Sequence, residues 1–243
     1  MDKRELEQTL VLIKPDALKN SLTGYMLSQL SEFHTGLLLS GAKILQVSRM
    51  LAEEHYAEHR GKVFFDSLLE YIMGNLHYEE AWKRRVIAIV YQGPDAVQKI
   101  RAIAGPTNPH NARVQKPGCI RALGTLVPLK DETGAVVGER MDNLIHASAT
   151  PPEAEREIKL WFRPNDLPPA MQAFPTEASG DYYYFKDNRL FMTREPECAC
   201  FLVPGEIAWK SDLDTLRLLA AGKPSGTTLG TVVAKYLINQ PGA

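Results

Sequence analysis

Only three cysteines occur in 243 residues, Cys119, Cys198 and Cys200. They have no disulfide-framework spacing, which excludes a stapled secreted scaffold and suits a reducing compartment. Cys198 and Cys200 lack the second close Cys or His pair that a structural zinc needs. No run of about 18 apolar residues occurs, and the start, MDKRELEQ, is charged where a signal peptide would be apolar. The expectation is a soluble, cytoplasmic protein with no membrane partner. The formal net charge of -1 gives no whole-chain attraction to nucleic acid. The basic run Lys83-Arg84-Arg85 beside Trp82 is the feature that would suit such a partner, and the near-zero balance argues against it. Both common Gly-rich phosphate cradles, G-x-x-x-x-G-K-[ST] and G-x-G-x-x-G, are missing, so any phosphate recognition must rest on side chains.

What is present is an alternation of strand and helix signals. Thr9 to Ile13 is a short β-branched apolar run ending at Lys14-Pro15-Asp16, and it reads as a buried strand. Gly24 to Phe33 places Tyr25, Leu27, Leu30 and Phe33 at helical spacing. Ala42 to Arg49 is strand-like, Ala52 to Arg60 and Phe64 to Ile72 are helical, Arg85 to Tyr91 is a second apolar strand, and Pro94 to Ile103 fits a helix. This order suits an α+β sandwich. Ala104 to Ile120 carries Gly105, Pro106, Pro109, Pro117 and Gly118, too much punctuation for regular structure, and a loop of that length suggests function. Thr125 to Lys130 and Ala135 to Arg140 form a hairpin around a Gly-containing turn. Glu153 to Phe162 is a helix stopped by Pro164.

From Arg163 the composition shifts to RPNDLPPAMQAFP, a linker or a wrapped segment. Beyond it, Tyr182 to Phe185 and Leu190 to Met192 suggest a small hairpin. Ser211 is a candidate N-cap for a helix presenting Leu213, Leu216 and Ala220, and a last helix spans Thr227 to Ile238.

Two local patterns carry chemistry. In Asn143-Leu144-Ile145-His146-Ala147-Ser148, a histidine follows an apolar pair, and Glu157 comes eleven residues later on the next helix. A histidine can act as a covalent nucleophile when an acceptor holds one ring nitrogen and the other faces substrate. Taken alone, the same residue reads more readily as a half-buried histidine with a structural hydrogen bond. Arg101, Thr107, Asn108, Lys116 and Arg121 border the irregular segment, where guanidinium groups could bind phosphate in two-pronged fashion or simply face solvent.

These pieces, in this order, resemble the nucleoside diphosphate kinase family. Thr9 to Asp16 is similar to its first strand and Lys-Pro-Asp turn. Glu54-His55-Tyr56 with Phe64-Phe65 and Leu68 to Tyr71 is similar to its nucleotide-holding helices. Gly105 to Pro109 and Lys116 to Arg121 resemble its phosphate loop, and Asn143 to Ser148 with Glu155 to Phe162 its histidine segment. The resemblance covers about residues 8 to 163. It implies a ferredoxin-like α/β sandwich with an antiparallel sheet, and a ping-pong transfer of the γ-phosphoryl group from a nucleoside triphosphate to a diphosphate. By the same resemblance His146 is the nucleophile, Glu157 orients it with support from Ser148, and Lys14 and Asn143 reach the sugar and phosphate oxygens. Arg101, Thr107 and Arg121 hold the phosphates, Tyr56 sits beside the histidine, and Phe64 stacks on the base. Mg²⁺ is expected on the nucleotide phosphates, and a homo-oligomer is implied.

The chain departs from the family at Ala17 and Ala147, where glycine is usual, and at Ala149, where an acidic residue is usual. An alanine is strained wherever φ must be positive. Two insertions, about 73–85 after the nucleotide-holding helices and 122–142 between the expected site residues Arg121 and Asn143, are read as bordering the nucleotide cleft or as solvated decoration. The division expected is a catalytic domain over 1–163 and a C-terminal extension of mixed structure over 164–243. A catalytically silent nucleotide-binding scaffold on the same fold is the alternative, although no reacting group is missing.

Overall fold

Six successive residues, Gln8–Ile13 (β1), have no face toward solvent. The reason is visible in the computed structural model, which describes residues 7–237. After β1 come helices α1 (Pro15–Lys19), α2 (Thr23–Gln29) and α3 (Glu32–Thr35), strand β2 (Leu38–Leu45), helices α4 (Arg49–His55) and α5 (Phe65–Ile72), strand β3 (Val86–Gln92) and helix α6 (Ala96–Ala104). Then follow α7 (Pro109–Gln115), the hairpin β4 (Thr125–Lys130) and β5 (Val136–Asp142), strand β6 (Ile145–Ala147) and helix α8 (Pro151–Trp161). The main sheet has the order β2-β3-β1-β6, antiparallel throughout, so β1 lies inside it. This is the mixed α/β, ferredoxin-like arrangement with extra structure attached.

Alternate β1 side chains serve two cores. Leu10 and Leu12, with Val86, Ala88 and Val90, pack on α4, α5 and α8 through Leu51, Leu69, Ile158 and Trp161. Val11 and Ile13, with Ile89 and Tyr91, face the other layer through Ala17, Met26, Leu30 and Ile100. Burial of one such aliphatic side chain contributes roughly 1.5–3 kcal/mol, so this double covering explains why the strand reads as an unbroken apolar run.

The structure differs from the sequence expectations in definite places. The helix expected over Gly24 to Phe33 is two helices, because Ser31 caps α3 by accepting the His34 N–H, and Gly36 (φ +64°) ends it. Phe33 is 92% exposed and Tyr25 and Leu27 are also exposed, so their spacing does not mark a core face. The strand expected over Ala42 to Arg49 lies earlier, since Ser48 caps α4 through the Leu51 N–H. Within the segment expected to be irregular, Pro109–Gln115 is helical: Asn108 Oδ1 accepts the His110 and Asn111 N–H groups at 2.8 and 3.2 Å, and Pro109 fits the first turn.

In the extension, β7 (Thr176–Ala178) pairs with β11 (Ile207–Trp209), and β8 (Tyr183–Lys186), β9 (Arg189–Phe191) and β10 (Ala199–Leu202) form a second small sheet. The 183–191 hairpin turns on Asp187 and Asn188, both at positive φ. Helix α9 (Lys210–Ala220) starts after Trp209, so Ser211 is inside it and is not its cap. Helix α10 (Leu229–Val233) is capped by Thr228 and is shorter than expected; the predicted end at Ile238 lies outside the described residues. Trp209 enters the core beside α8 and donates its indole N–H to the Phe162 carbonyl at 2.7 Å. Thr228 and Thr231 donate to the Glu54 carboxylate at 3.1 and 2.6 Å, and buried Lys235 pairs with Asp212 at 2.9 Å.

Candidate active site

Strand β6 is only three residues long, and its position is fixed by its neighbours. His146 pairs with Leu12 across the β1–β6 ladder. Just before it, Leu144 is held at φ +69°, a left-handed conformation that costs a non-glycine residue roughly 1–2 kcal/mol. The Lys-Pro-Asp turn compensates: Leu144 N–H donates to Asp16 Oδ2 at 3.0 Å, and Lys14 N–H donates to the Leu144 carbonyl at 2.9 Å. Ala17 lies in α1 and Ala147 in β6, neither with positive φ, so the two alanines that replace glycines carry no such strain.

Helix α8 brings Glu157 to the ring. Thr150 caps α8 by accepting the Glu153 N–H, and Pro151 occupies its first turn. Glu157 Oε2 accepts from Ser148 Oγ at 2.6 Å and meets His146 Nε2 at 2.8 Å. Burial would raise this carboxyl, but the adjacent His146, with the hydrogen bonds from His146 and Ser148, holds it down to about 2. An ionised carboxylate only accepts, so Nε2 carries the proton and the Nδ1 lone pair is left for chemistry.

The folded value of Glu157 lies below its ordinary 4.5, so its contribution to stability is full above about pH 4.5 and disappears as pH falls toward 2. Glu157→Gln should remove that dependence and lower the melting temperature at neutral pH, because an amide N–H would face the Ser148 or His146 donor. Thermal denaturation across the acid range checks both results.

His55 completes the histidine's surroundings, a role the sequence did not assign although its motif was quoted. Its ring lies edge-on to His146, with centroids 4.6 Å apart. The Trp161 indole N–H, a donor only, meets His55 Nδ1 at 3.2 Å and fixes the proton on Nε2. Burial, reinforced by His146, pushes His55 well below the usual histidine range and keeps it neutral. His55, His146 and Glu157 have ligand-type atoms within 4.8 Å of one another. The indole, however, already occupies the Nδ1 lone pair, and the protonated Nε2 is buried with no partner among the described residues, so His55 has no lone pair free for a metal.

The cations come from elsewhere. Lys14 Nζ donates to Asn143 Oδ1 at 2.8 Å, and Asn143 Nδ2 donates to the Thr107 carbonyl at 2.9 Å. Burial pushes the Lys14 ammonium down to about 8. Buried Arg121 donates to the Gly105 carbonyl at 2.8 Å and to the Ile145 carbonyl at 3.3 and 3.4 Å. Burial, then the charge of Arg101, lowers it to about 10, still protonated at neutral pH. Gly105 has φ +84°, and a side chain there would collide with the Cys119 sulfur. Arg101 donates to the Ala147 carbonyl at 3.4 Å.

These groups surround one cavity of about 400 Å³. His146, Glu157, Lys14, Tyr56, Phe64, Arg101, Thr107, Arg121 and Asn143 all line it, and Ser148 stands behind Glu157. Tyr56 is buried, and burial holds its proton in place. Arg140 and Met141 of β5 also line the cavity and were missed by the sequence reading, as were His55 and His59. The arrangement offers a nucleophilic ring nitrogen, a fixed carboxylate behind it, and cationic groups around it, the set needed to accept a phosphoryl group.

Comparison with known proteins agrees. A family model described as nucleoside diphosphate kinase matches residues 7–167. The nucleoside diphosphate kinase of Thermococcus kodakarensis is 38% identical over 189 residues, covering 78% of this chain and 92% of that protein. That of Staphylococcus aureus is 39% identical over 162 residues, 67% of this chain and 91% of that one. Among solved structures, the Aquifex aeolicus nucleoside diphosphate kinase is similar with TM-score 0.53 and 30% identity, covering 67% of this chain and 99% of its own. The Halobacterium salinarum enzyme in complex with CDP gives TM-score 0.51 and 34% identity, covering 67% of this chain and 91% of its own.

Proposed function

The chain belongs to the nucleoside diphosphate kinase family, and on that premise we propose that His146 Nδ1 carries the phosphoryl group between a nucleoside triphosphate and a nucleoside diphosphate. The observation that carries the assignment is the 2.8 Å contact between His146 Nε2 and a carboxylate that can only accept. In the first half-reaction the Nδ1 lone pair attacks the γ-phosphorus. The N–P bond forms as the bond to the β–γ bridging oxygen breaks, and the electron pair leaves on the diphosphate. The second half-reaction reverses these events with a new diphosphate. Glu157 stabilises the ring as positive charge develops, and Ser148 keeps the carboxylate aimed. Arg101, Arg121 and Thr107 hold the phosphates, and Lys14 and Asn143 the sugar and nearby oxygens. Phe64 stacks on the base and Tyr56 packs beside the ring. Little bond chemistry falls to the protein beyond this positioning.

A divalent cation belongs to this chemistry, and Mg²⁺ fits the donors on the cavity wall. Glu157 is already occupied, exposed Glu58 and half-buried Glu153 are the remaining carboxylates, and the Lys and Arg side chains of the lining offer no ligand to a cation. Mg²⁺ keeps waters and takes most of its ligands from phosphate oxygens, so Glu58 and Glu153 are its protein-side contacts at most. A cation held there would supply charge neutralisation at the transferring group.

The protein is read as a cytoplasmic homo-oligomer. The free thiols support the compartment. Exposed Phe33, Tyr25 and Leu27, with Leu38, Leu39 and Ile44 on edge strand β2, supply apolar surface for a second copy. No helix among the described residues is long and apolar enough to cross a membrane.

The reading is tested by incubating the protein with Mg²⁺ and γ-labelled ATP. Acid-labile label on His146 that moves to added GDP supports it, whereas nucleotide binding without label leaves only a scaffold. A pH profile gives a second check. The Lys14 ammonium is charged below about pH 8 and neutral above it, so kcat/KM should fall as pH rises through about 8, by up to about tenfold per unit. Bound phosphate favours the charged form, which moves the limb to higher pH in kcat, and Lys14→Met should flatten both.

A further inference from the structure

The two insertions meet at one residue, and the meeting point aims a charge into the cavity. From the first insertion, His77 Nε2 lies 3.2 Å from Asp142 Oδ2. Asp142 closes β5 in the second and receives Arg140 on two prongs, Nε to Oδ1 at 2.6 Å and Nη2 to Oδ2 at 3.2 Å. Arg140 Nη1 also donates to Ser67 Oγ on α5 at 3.0 Å, and the guanidinium lies 5.8 Å from the Tyr71 ring centre.

The remaining cavity cations have other partners. Arg101 and Arg121 are bonded to the backbone of β6 and of Gly105, and Lys14 to Asn143. Arg140 is tied to α5, the helix that Phe64 precedes and that supplies Leu68 to the same wall. Strand β5 runs close to this segment, since a side chain at Gly138 would come within 3.8 Å of Val63. Phe64 and Leu68 from one element and Arg140 and Met141 from the other therefore share the end of the cavity assigned to the base. Three of the five guanidinium N–H groups have protein acceptors, which leaves two on a fork already fixed in orientation.

Resting on the proposed nucleotide chemistry, we propose that Arg140 reads the nucleobase and gives the enzyme a preference for guanine nucleotides. Stacking on Phe64 is blind to base identity, because every base has a π-face. A fixed pair of N–H donors is selective. Guanine presents two adjacent acceptors, O6 and N7, whereas adenine and cytosine place an amino donor on the corresponding edge and uracil a single carbonyl. The anchor at Asp142 also removes most of the rotamer freedom that a loose arginine would lose on binding.

The test uses the full-length protein, phosphorylated with labelled ATP and then discharged to GDP, ADP, CDP or UDP. The wild type should show kcat/KM for GDP above that for ADP and CDP by roughly 5- to 100-fold, the range of one bidentate base contact. Arg140→Leu should erase the ratio by raising KM for GDP most. Arg140→Lys, which keeps the charge and loses the fork, should erase most of it too. Equal values for the four bases in the wild type overturn the inference. So does an equal rise in KM for all bases in Arg140→Leu, the mark of a hairpin that has merely shifted, and so does full preference in Arg140→Lys. If no labelled enzyme forms at all, the phosphohistidine reading has failed, a result distinguishable from any change in the base ratio.

Discussion

His146→Ala should reduce phosphoryl transfer by about 10⁴-fold or more, the scale expected when a covalent nucleophile is removed. The label should vanish with it. The strand itself should persist, since β6 is held by backbone pairing to β1 and by the Lys14 and Asp16 contacts to Leu144. The substitution does leave a buried carboxylate with one strong donor, Ser148, where it had two. A stability loss of about 1–3 kcal/mol is therefore expected at neutral pH. His146→Gln separates the two effects, because its Nε2 amide can still offer an N–H to Glu157 where the imidazole Nε2 did, yet has no nucleophilic ring nitrogen. Melting temperature should recover in part while transfer stays absent. Residual label in either variant would move the nucleophile elsewhere in the cavity.

Arg121→Leu should carry the next largest effect, and for two reasons that a pair of measurements can separate. Its guanidinium ties the Gly105 carbonyl to the Ile145 carbonyl, so it links the loop after α6 to the residue before His146. Both carbonyls lose their buried donor in the variant, at about 1–3 kcal/mol each. It also removes a charge-assisted donor from the developing negative charge, for which a drop of about 10²–10³ in kcat is the usual scale. Arg121→Lys should restore little of either, because a single ammonium does not reproduce a planar fork. A kcat/KM close to wild type in a destabilised Arg121→Leu would assign the residue to scaffolding alone.

The parts of the fold that the sequence made legible are those where local pattern and tertiary environment agree. β1 and β3 read as continuous apolar runs because both faces of each are covered. The 183–191 hairpin was legible because Asp187 and Asn188 tolerate positive φ. The failures are equally specific. Pro109 reads as a breaker in the sequence, although behind the cap Asn108 it starts a helix, and α7 goes unread for that reason. Phe33 sits at helical spacing with Leu30 yet points to solvent, so its apolarity answers to something other than this chain's core.

At the site, His146, Glu157 and their cationic neighbours converge on one cavity, as motif order suggested. Arg140 was out of reach. Its partners are Asp142 two residues on and Ser67 seventy-three residues back, in an insertion with no family pattern to align. His55 was similarly hidden, because the group that fixes its tautomer, Trp161, is 106 residues away. Long-range partners leave no periodic trace in a sequence, which accounts for His55 and for the Ser67 tie of Arg140, while the near pair Arg140 and Asp142 carries no pattern of its own.

The double burial of β1 has a consequence for how the chain tolerates change. A strand with one wet face has alternate positions where substitution is nearly silent; Gln8–Ile13 has none. No side chain of this strand lines the cavity, yet the ladder to Leu12 is what holds His146 in place. A random-mutagenesis library screened for lost activity should return β1 about as often as the cavity wall itself. The hits should differ in kind, with β1 variants losing soluble protein and cavity variants losing turnover at normal yield, so mutational frequency alone would draw the boundary of the active site one strand too wide.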